Sequence, residues 1–284
     1  MKGRYKTKRG LQSTSSQVLV HSVLIIFVLV ALFPIYLMVT TSLKVSSELY
    51  KNVFALPPDP KWEHYPLIFI KRGYYGNFIN SLIFAGPVTL ICLVLSIFAG
   101  YGFALYRFPG REFLFIVILS ALMVSEVSLL IPVYFLLKDF GLLNTHLGLI
   151  LPQAALGLPF GVFLITTFFR GVPPNLLDAG RIDGCSDLRL LWSIVLPIGM
   201  PAIKALSVIQ FMWAWNSYFF PLVIATKYEV MPLSVALNDF MGRFTMNYEL
   251  VATTCVIMFI PIVVVYLIMQ RSFARGITFG AIKG

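Results

Sequence analysis

Six apolar stretches, each long enough to cross a bilayer as a helix, constrain this chain more than any other feature. A hydrocarbon core about 30 Å thick needs about 20 consecutive apolar helical residues. The stretches cover residues 18–41, 78–105, 113–136, 147–169, 202–225 and 250–269. They are continuous rather than alternating, which is the pattern of spanning helices and not of a barrel. The expected fold class is an all-α integral membrane protein with six transmembrane helices. Only 12% of the 284 residues are charged and the mean hydropathy is +0.86. Soluble domains carry about 25% charge. A disordered chain, a disulfide scaffold and an ordinary cytosolic enzyme are therefore excluded. The third stretch contains Glu126, and the fifth contains Lys204 and Asn216.

The same apolar chain has a formal net charge of +10. Such a surplus points to nucleic acid or to an anionic surface, and its distribution decides which. Six spans put both termini on one side. That side would hold Lys2, Arg4, Lys6, Lys8, Arg9, Arg107, Arg111, Arg170, Arg181, Arg189, Lys204, Arg271, Arg275 and Lys283. The other would hold Lys44, Lys51, Lys61, Lys71, Arg72, Lys138, Lys227 and Arg243. The positive-inside rule assigns the richer side, with both termini, to the cytosol. Four acidic residues share that side (Glu112, Asp178, Asp183, Asp187) and seven lie opposite, so the surplus faces anionic lipid of the inner leaflet. Nucleic acid is not an expected partner. The first stretch is too long for a signal-peptide core and reads as a retained span. The expected organisation is a basic tail (1–17), a first span (18–41), an extracytoplasmic loop (42–77), a five-helix core (78–270) and a second cytosolic tail (271–284).

Each span contains or adjoins a proline: Pro34, Pro87, Pro132, Pro159, Pro221 and Pro261. Two readings stand side by side. The prolines bend helices around a cavity, or they reflect the general frequency of proline in membrane helices. Cys92, Cys185 and Cys255 lie far apart and read as small core residues. His21, His64 and His146 are too scattered for a local metal site. The chain has no P-loop, no HExxH, no GxSxG and no paired catalytic carboxylates. No catalytic site and no bound cofactor or metal is expected.

The stretch GVPPNLLDAGRIDGCSDLRLLWSIVLPIGMP, residues 171–201, reads as a short helix-turn-helix on the cytosolic side. Pro173 and Pro174 stop the fourth span. Asn175 is a candidate cap, with Asp178 in the first turn. Gly184 fits a left-handed helix stop. Ser186 caps a second helix, which Pro197 is expected to end. Exposed Leu and Ile beside Ala and Gly suggest a docking knob.

This segment resembles the EAA loop of importer-type ABC permeases, a glutamate-alanine-alanine run followed by a spaced glycine and an I-x-LP ending. The matching residues are Asp178, Ala179, Gly180, Asp183, Gly184, Ile194, Leu196 and Pro197. Asp178 replaces the usual Glu, and Gly180 the second Ala. FPIYLMVTTSLK, YGFALYRFPGR, LLIPVYFLLKDFGLLNTHLGLILP, WNSYFFPLVIA and RSFARGITFGAIKG resemble the carbohydrate, maltose-permease-like branch, the inner-membrane components of binding-protein-dependent transport.

The resemblance implies a type-1 ABC importer transmembrane fold in the prokaryotic cell membrane. It implies a second, homologous permease and two copies of a cytosolic ATPase that carry ATP and Mg. An extracytoplasmic binding protein would deliver a sugar. The loop at 171–197 would couple to the ATPase through Leu176, Leu177, Asp178, Ala179, Gly180, Ile182, Asp183, Gly184, Leu196 and Pro197. The tail 271–284 would reach toward the ATPase or meet lipid headgroups.

Glu126, Trp213, Trp215, Asn216 and Tyr218 are candidate pathway residues. A carboxyl group inside a span is a functional candidate, and aromatic faces suit sugar rings. Glu126 could instead open a broken helix before Pro132, and the aromatics could belong to an interfacial belt. Another polar solute such as glycerol phosphate is the alternative, for which cations should face the cavity. A stand-alone carrier would have no use for a coupling loop.

Overall fold

The computed structural model describes residues 14–241 and 246–280. The basic N-terminal tail up to residue 13 and the last four residues lie outside them, so the expectations placed there are not met or missed. The described chain is helical, with one isolated bridge between Met241 and Met246. Five helices are long and apolar enough to cross a membrane, or six if one bent pair counts as a single span.

The main helices are α1 (Thr14–Ser42), α2 (Tyr74–Leu105), α3 (Arg111–Ser120), α4 (Glu126–Asp139), α5 (His146–Phe169), α6 (Pro174–Ile182), α7 (Leu196–Trp215) and α8 (Tyr248–Gly280). The first, second, fourth and sixth expected spans correspond to α1, α2, α5 and α8. The backbone of α8 stays helical through Gly280, well past the expected end near residue 269.

The described residues fall into two compact units. One comprises 14–65 with 247–256. In it, none of the apolar window of α1 is buried. A helix apolar all round with no cover among the described residues needs lipid or another protein chain. Below it the connecting segment is well anchored. Lys44 is fully buried and donates to the carbonyls of Asn52 at 3.2 Å and Val53 at 2.7 Å. His64 Nδ1 lies 2.9 Å from the Ser42 carbonyl, and Ser42 Oγ lies 2.8 Å from the Tyr65 hydroxyl.

The other unit comprises 66–241, 246 and 257–280. Its centre is the pair α2 and α5, which approach closely because small residues face each other. A Cβ on Gly161 would run into Ser96 Oγ, and one on Gly100 would lie 2.6 Å from Ile165. In lipid, such close packing replaces the hydrophobic drive between helices. Polar bonds join α5 to both of its neighbours, α7 and α2. Gln210 Nε2 donates to the Gly157 carbonyl at 2.8 Å, and Cys92 Sγ reaches the Ala154 carbonyl at 3.3 Å. Cys92 is thus a buried packing residue. One apolar cluster joins Phe84, Val88, Leu149, Trp215 and Phe220; a second joins Tyr101, Ile165, Phe169, Leu177, Leu191 and Leu206.

Two expectations are corrected. The third span is not continuous: α3 ends in a 3-10 turn (Ala121–Met123), and α4 leaves it at 99°. Val124 and Ser125 are extended there. The break falls at Ser125–Glu126, before Pro132, which sits inside α4, so Glu126 opens the second half of a broken helix as one of its two readings expects. The helices α2, with Pro87, and α5, with Pro152 and Pro159, stay continuous through their prolines, which leaves both readings of the prolines open. Finally, Pro197 does not end a helix. Residues 187–215 form one uninterrupted helix with a π-turn at Leu191–Val195. A π-turn accommodates the amide that proline lacks and its clash with the carbonyl of Ser193.

Candidate functional site

Two places carry the candidate residues. The first is the elbow between α5 and 187–215. Its helix α6 starts at Pro174, whose fixed φ suits the first helical position. Pro173 stands in the cap position, so Asn175 is not the cap. The end of α6 is tightly closed. Gly184 has φ +76°; its N–H donates to the Arg181 carbonyl at 3.0 Å, and the Cys185 N–H donates to the Gly180 carbonyl at 2.9 Å. This is the Schellman arrangement, with glycine at the left-handed position. Asp183 is the C-cap. Ser186 Oγ then accepts from the Arg189 N–H at 3.4 Å and opens the next helix.

The faces of α6 are divided. Leu177 and Gly180 point inward. A Cβ on Gly180 would lie 2.5 Å from Leu190 and 2.8 Å from Ile194. Its small size is used inside the chain, where the following helix packs on α6, and not on an outer surface. Leu196 is likewise buried in the core, while Pro197 is exposed. Asp178 is exposed and pairs with Arg181 at 3.5 Å on its own helix. Ala179 is exposed. Leu176 and Ile182 project outward, Ile182 with 86% of its surface free. Leu188 and Trp192 are also exposed and lie four residues apart on the next helix. They extend the apolar surface and were missed. Their spacing is the available signal, since i and i+4 share a helix face. The Tyr101 hydroxyl donates to the Asp187 carbonyl at 2.9 Å and ties this helix to α2.

The second place is a cavity of about 620 Å³. Two helix breaks meet there: residues 121–126 between α3 and α4, and residues 216–218 between α7 and the short helix Phe219–Ile224. Glu126, Trp213, Asn216 and Tyr218 are in its wall, with Gln153 and Ser217. Glu126 Oε1 is enclosed without a hydrogen-bond partner. Trp213 is half-exposed and tilts against Phe160, ring centroids 5.0 Å apart. The Asn216 amide donates to the Met212 carbonyl at 2.9 Å, and Ser217 Oγ donates to Gln153 Oε1 at 2.9 Å. Tyr218 donates to Asn238 Oδ1 at 3.0 Å. Asn238 belongs to a 3-10 turn (Leu237–Phe240) held through Asp239, which accepts from Tyr74 at 2.9 Å and Tyr228 at 2.6 Å. That bond to the Asp239 carboxylate holds the Tyr228 phenol above its ordinary pKa.

Trp215 is a correction. It is fully buried, stacks on Phe211, and its indole donates to the Met258 carbonyl at 3.0 Å. Two residues along a helix turn a side chain by about 200°, so Trp213 and Trp215 face opposite ways. Trp215→Phe should therefore lower stability by about 1–2 kcal/mol, by orphaning that carbonyl. Thermal melting of this variant checks the effect, with Trp213→Ala, at a half-exposed ring, as the comparison.

The sequence profile described as binding-protein-dependent transport system inner membrane component matches residues 92–279. The chain belongs to that family and is a multi-pass permease subunit of a transporter. The arabinooligosaccharides transport system permease protein AraQ of Halalkalibacterium halodurans is 32% identical over 259 residues, 90% of this chain and 92% of that protein. The osmoprotective compounds uptake permease protein GgtD of Synechocystis is 36% identical over 221 residues, 78% of this chain and 74% of that protein. Among solved structures, a chain of a bacterial ABC transporter involved in the import of the acidic polysaccharide alginate superposes with a TM-score of 0.78. It is 23% identical, covering 93% of this chain and 99% of that one, which establishes the common fold.

Proposed function

We propose that this chain forms half of the translocation pathway of an ATP-driven importer for a sugar or oligosaccharide. A second, related permease supplies the other half. An extracytoplasmic binding protein delivers the solute, and two copies of a separate ATPase bind ATP and Mg²⁺ and dock on the elbow. The bias of basic residues puts the elbow and both termini in the cytosol. Kinship over nine-tenths of the chain with an arabinooligosaccharide permease supports the solute class.

The observation that carries the reading is the elbow itself. It is fixed from within by Leu177 and Gly180 and presents Leu176, Ile182, Leu188 and Trp192 outward. An apolar surface on a rigid, capped helix suits a protein cleft. The helix that follows runs unbroken from the elbow to the cavity, about 40 Å at 1.5 Å per residue. A push on α6 is passed through Leu190 and Ile194 to Trp213 and Asn216 at its far end.

Charges at two exposed apolar positions of the elbow test this. Ile182→Asp together with Trp192→Asp should strip the ATPase from the detergent-purified complex and abolish sugar uptake in membrane vesicles. Retention of a full complement of ATPase by the double variant would sink the reading.

A further inference from the structure

We infer that the cavity between the two helix breaks is a solute subsite for uncharged polyhydroxyl compounds, in which the Glu126 carboxyl group bonds a solute hydroxyl. The inference rests on the importer reading above and goes further, because it places solute contact in this chain and excludes anionic solutes.

Three observations converge. Part of the wall is made where the chain leaves helical geometry, at 121–126 and at 216–218, and α5 and α7 supply the rest. Irregular backbone at membrane depth is tolerated only where protein buries it or a polar cavity receives it. Next, Glu126 Oε1 is shielded yet unpartnered, although a buried carboxyl oxygen without a hydrogen bond is unfavourable. Glu126 borders the cavity, so a solute hydroxyl that draws its carboxyl group outward would satisfy it. Finally, the polar and apolar groups of the wall are mixed as a sugar requires. Trp213 offers a half-exposed aromatic face for ring C–H groups. Gln153 accepts from Ser217 with its carbonyl oxygen, so its amide nitrogen remains a donor. Asn216 gives its amide hydrogen to Met212, so its oxygen remains an acceptor.

Charge sets the selectivity. Among the described residues, the wall contains no lysine, arginine or histidine, and its one ionisable acid is Glu126. A phosphate or uronate would lose its hydration and meet a carboxyl group with no compensating cation in the wall that this chain contributes. A neutral sugar loses only hydroxyl hydration, which the wall replaces. The volume of about 620 Å³ lies within the usual range of small-molecule sites.

The test uses the assembled importer with both permeases and the ATPase. Binding to the detergent-solubilised complex, without the binding protein, is measured by calorimetry. The neutral probes are arabinotriose, maltotriose, melibiose and raffinose, and the anionic ones are digalacturonate and glycerol 3-phosphate. Uptake of the same probes is measured in proteoliposomes with the binding protein present. At least one neutral sugar should bind and be imported, and both anions should bind at least tenfold more weakly. Glu126→Gln should weaken sugar binding about tenfold by removing a charge-assisted bond, and Glu126→Asp should recover part of the loss. Anions binding as well as sugars would overturn the inference, and this comparison needs no variant. Unchanged sugar binding by Glu126→Gln would overturn it while leaving the importer reading intact. Failure of the wild-type importer to bind or import any of the neutral sugars would overturn both.

Discussion

Gly184→Val abolishes solute uptake while the protein still reaches the membrane in normal amount. Gly184 closes α6 at φ +76°, a conformation that costs an ordinary L-residue about 1–2 kcal/mol and a β-branched one more. A Cβ there meets nothing within 4 Å, so the penalty lies in the backbone alone and spares the packing of the spans. Its effect is local. The bonds from Gly184 and Cys185 to Arg181 and Gly180 are lost, and with them the fixed angle between α6 and the next helix. Ile182 and Leu188 then no longer share one rigid surface. Uptake should fall at least tenfold. Gly184→Asn, which tolerates the left-handed region, should retain most of it. Uptake assays paired with quantitation of membrane-inserted protein decide the matter. Normal uptake by G184V would refute the role given to the turn.

Gly161→Leu acts on stability instead. Gly161 faces Ser96 across the α2–α5 contact, where even one added carbon collides with Ser96 Oγ, and Leu206 stands 3.4 Å away. The helices must separate, and the bonds of Gln210 and Cys92 across the same region are strained with them. Overpacking in a tight core costs about 1–3 kcal/mol and sometimes more, and two helices at backbone contact leave little room to relax. A melting transition lowered by about 5 °C or more in detergent, or no folded protein at all, is expected. Gly86→Leu, on the same helix pair but with open space at its Cβ, should melt near the wild type. The smaller change Gly161→Ala should be rescued by Ser96→Gly, because the two share one volume. Equal melting of G161L and G86L would show that the contact is looser than drawn.

The spans were legible because lipid demands long apolar runs, and a run of twenty residues survives averaging. The breaks were less so, for the same reason, and the one at Glu126 was legible only as one of two readings. Ser125 and Glu126 look like a helix start, yet they lie inside a stretch whose mean hydropathy hides two polar residues. At the other wall, Asn216 read as a polar intrusion in a span, when it marks the end of α7. Pro197 misled in the opposite direction. A proline is read as a stop, and only the π-turn at Leu191–Val195 lets the helix pass it. In the elbow, Gly184 was readable because a left-handed turn leaves few choices of residue. Gly180 was not, since a small side chain serves an internal contact and an external one equally well. Trp213 and Trp215 differ only in helix face, and a helix apolar on most sides does not say which face meets a cavity.

The unbroken helix 187–215 has a consequence for energetics. Elbow and cavity share one rigid body, so ATPase docking and solute binding are linked equilibria. If the docked ATPase changes the affinity of the cavity for solute by some factor, solute must change the affinity of the elbow for the ATPase by that same factor. Loosening the helix at the π-turn, as Val195→Gly would, should leave both binding events in place and bring that factor toward one.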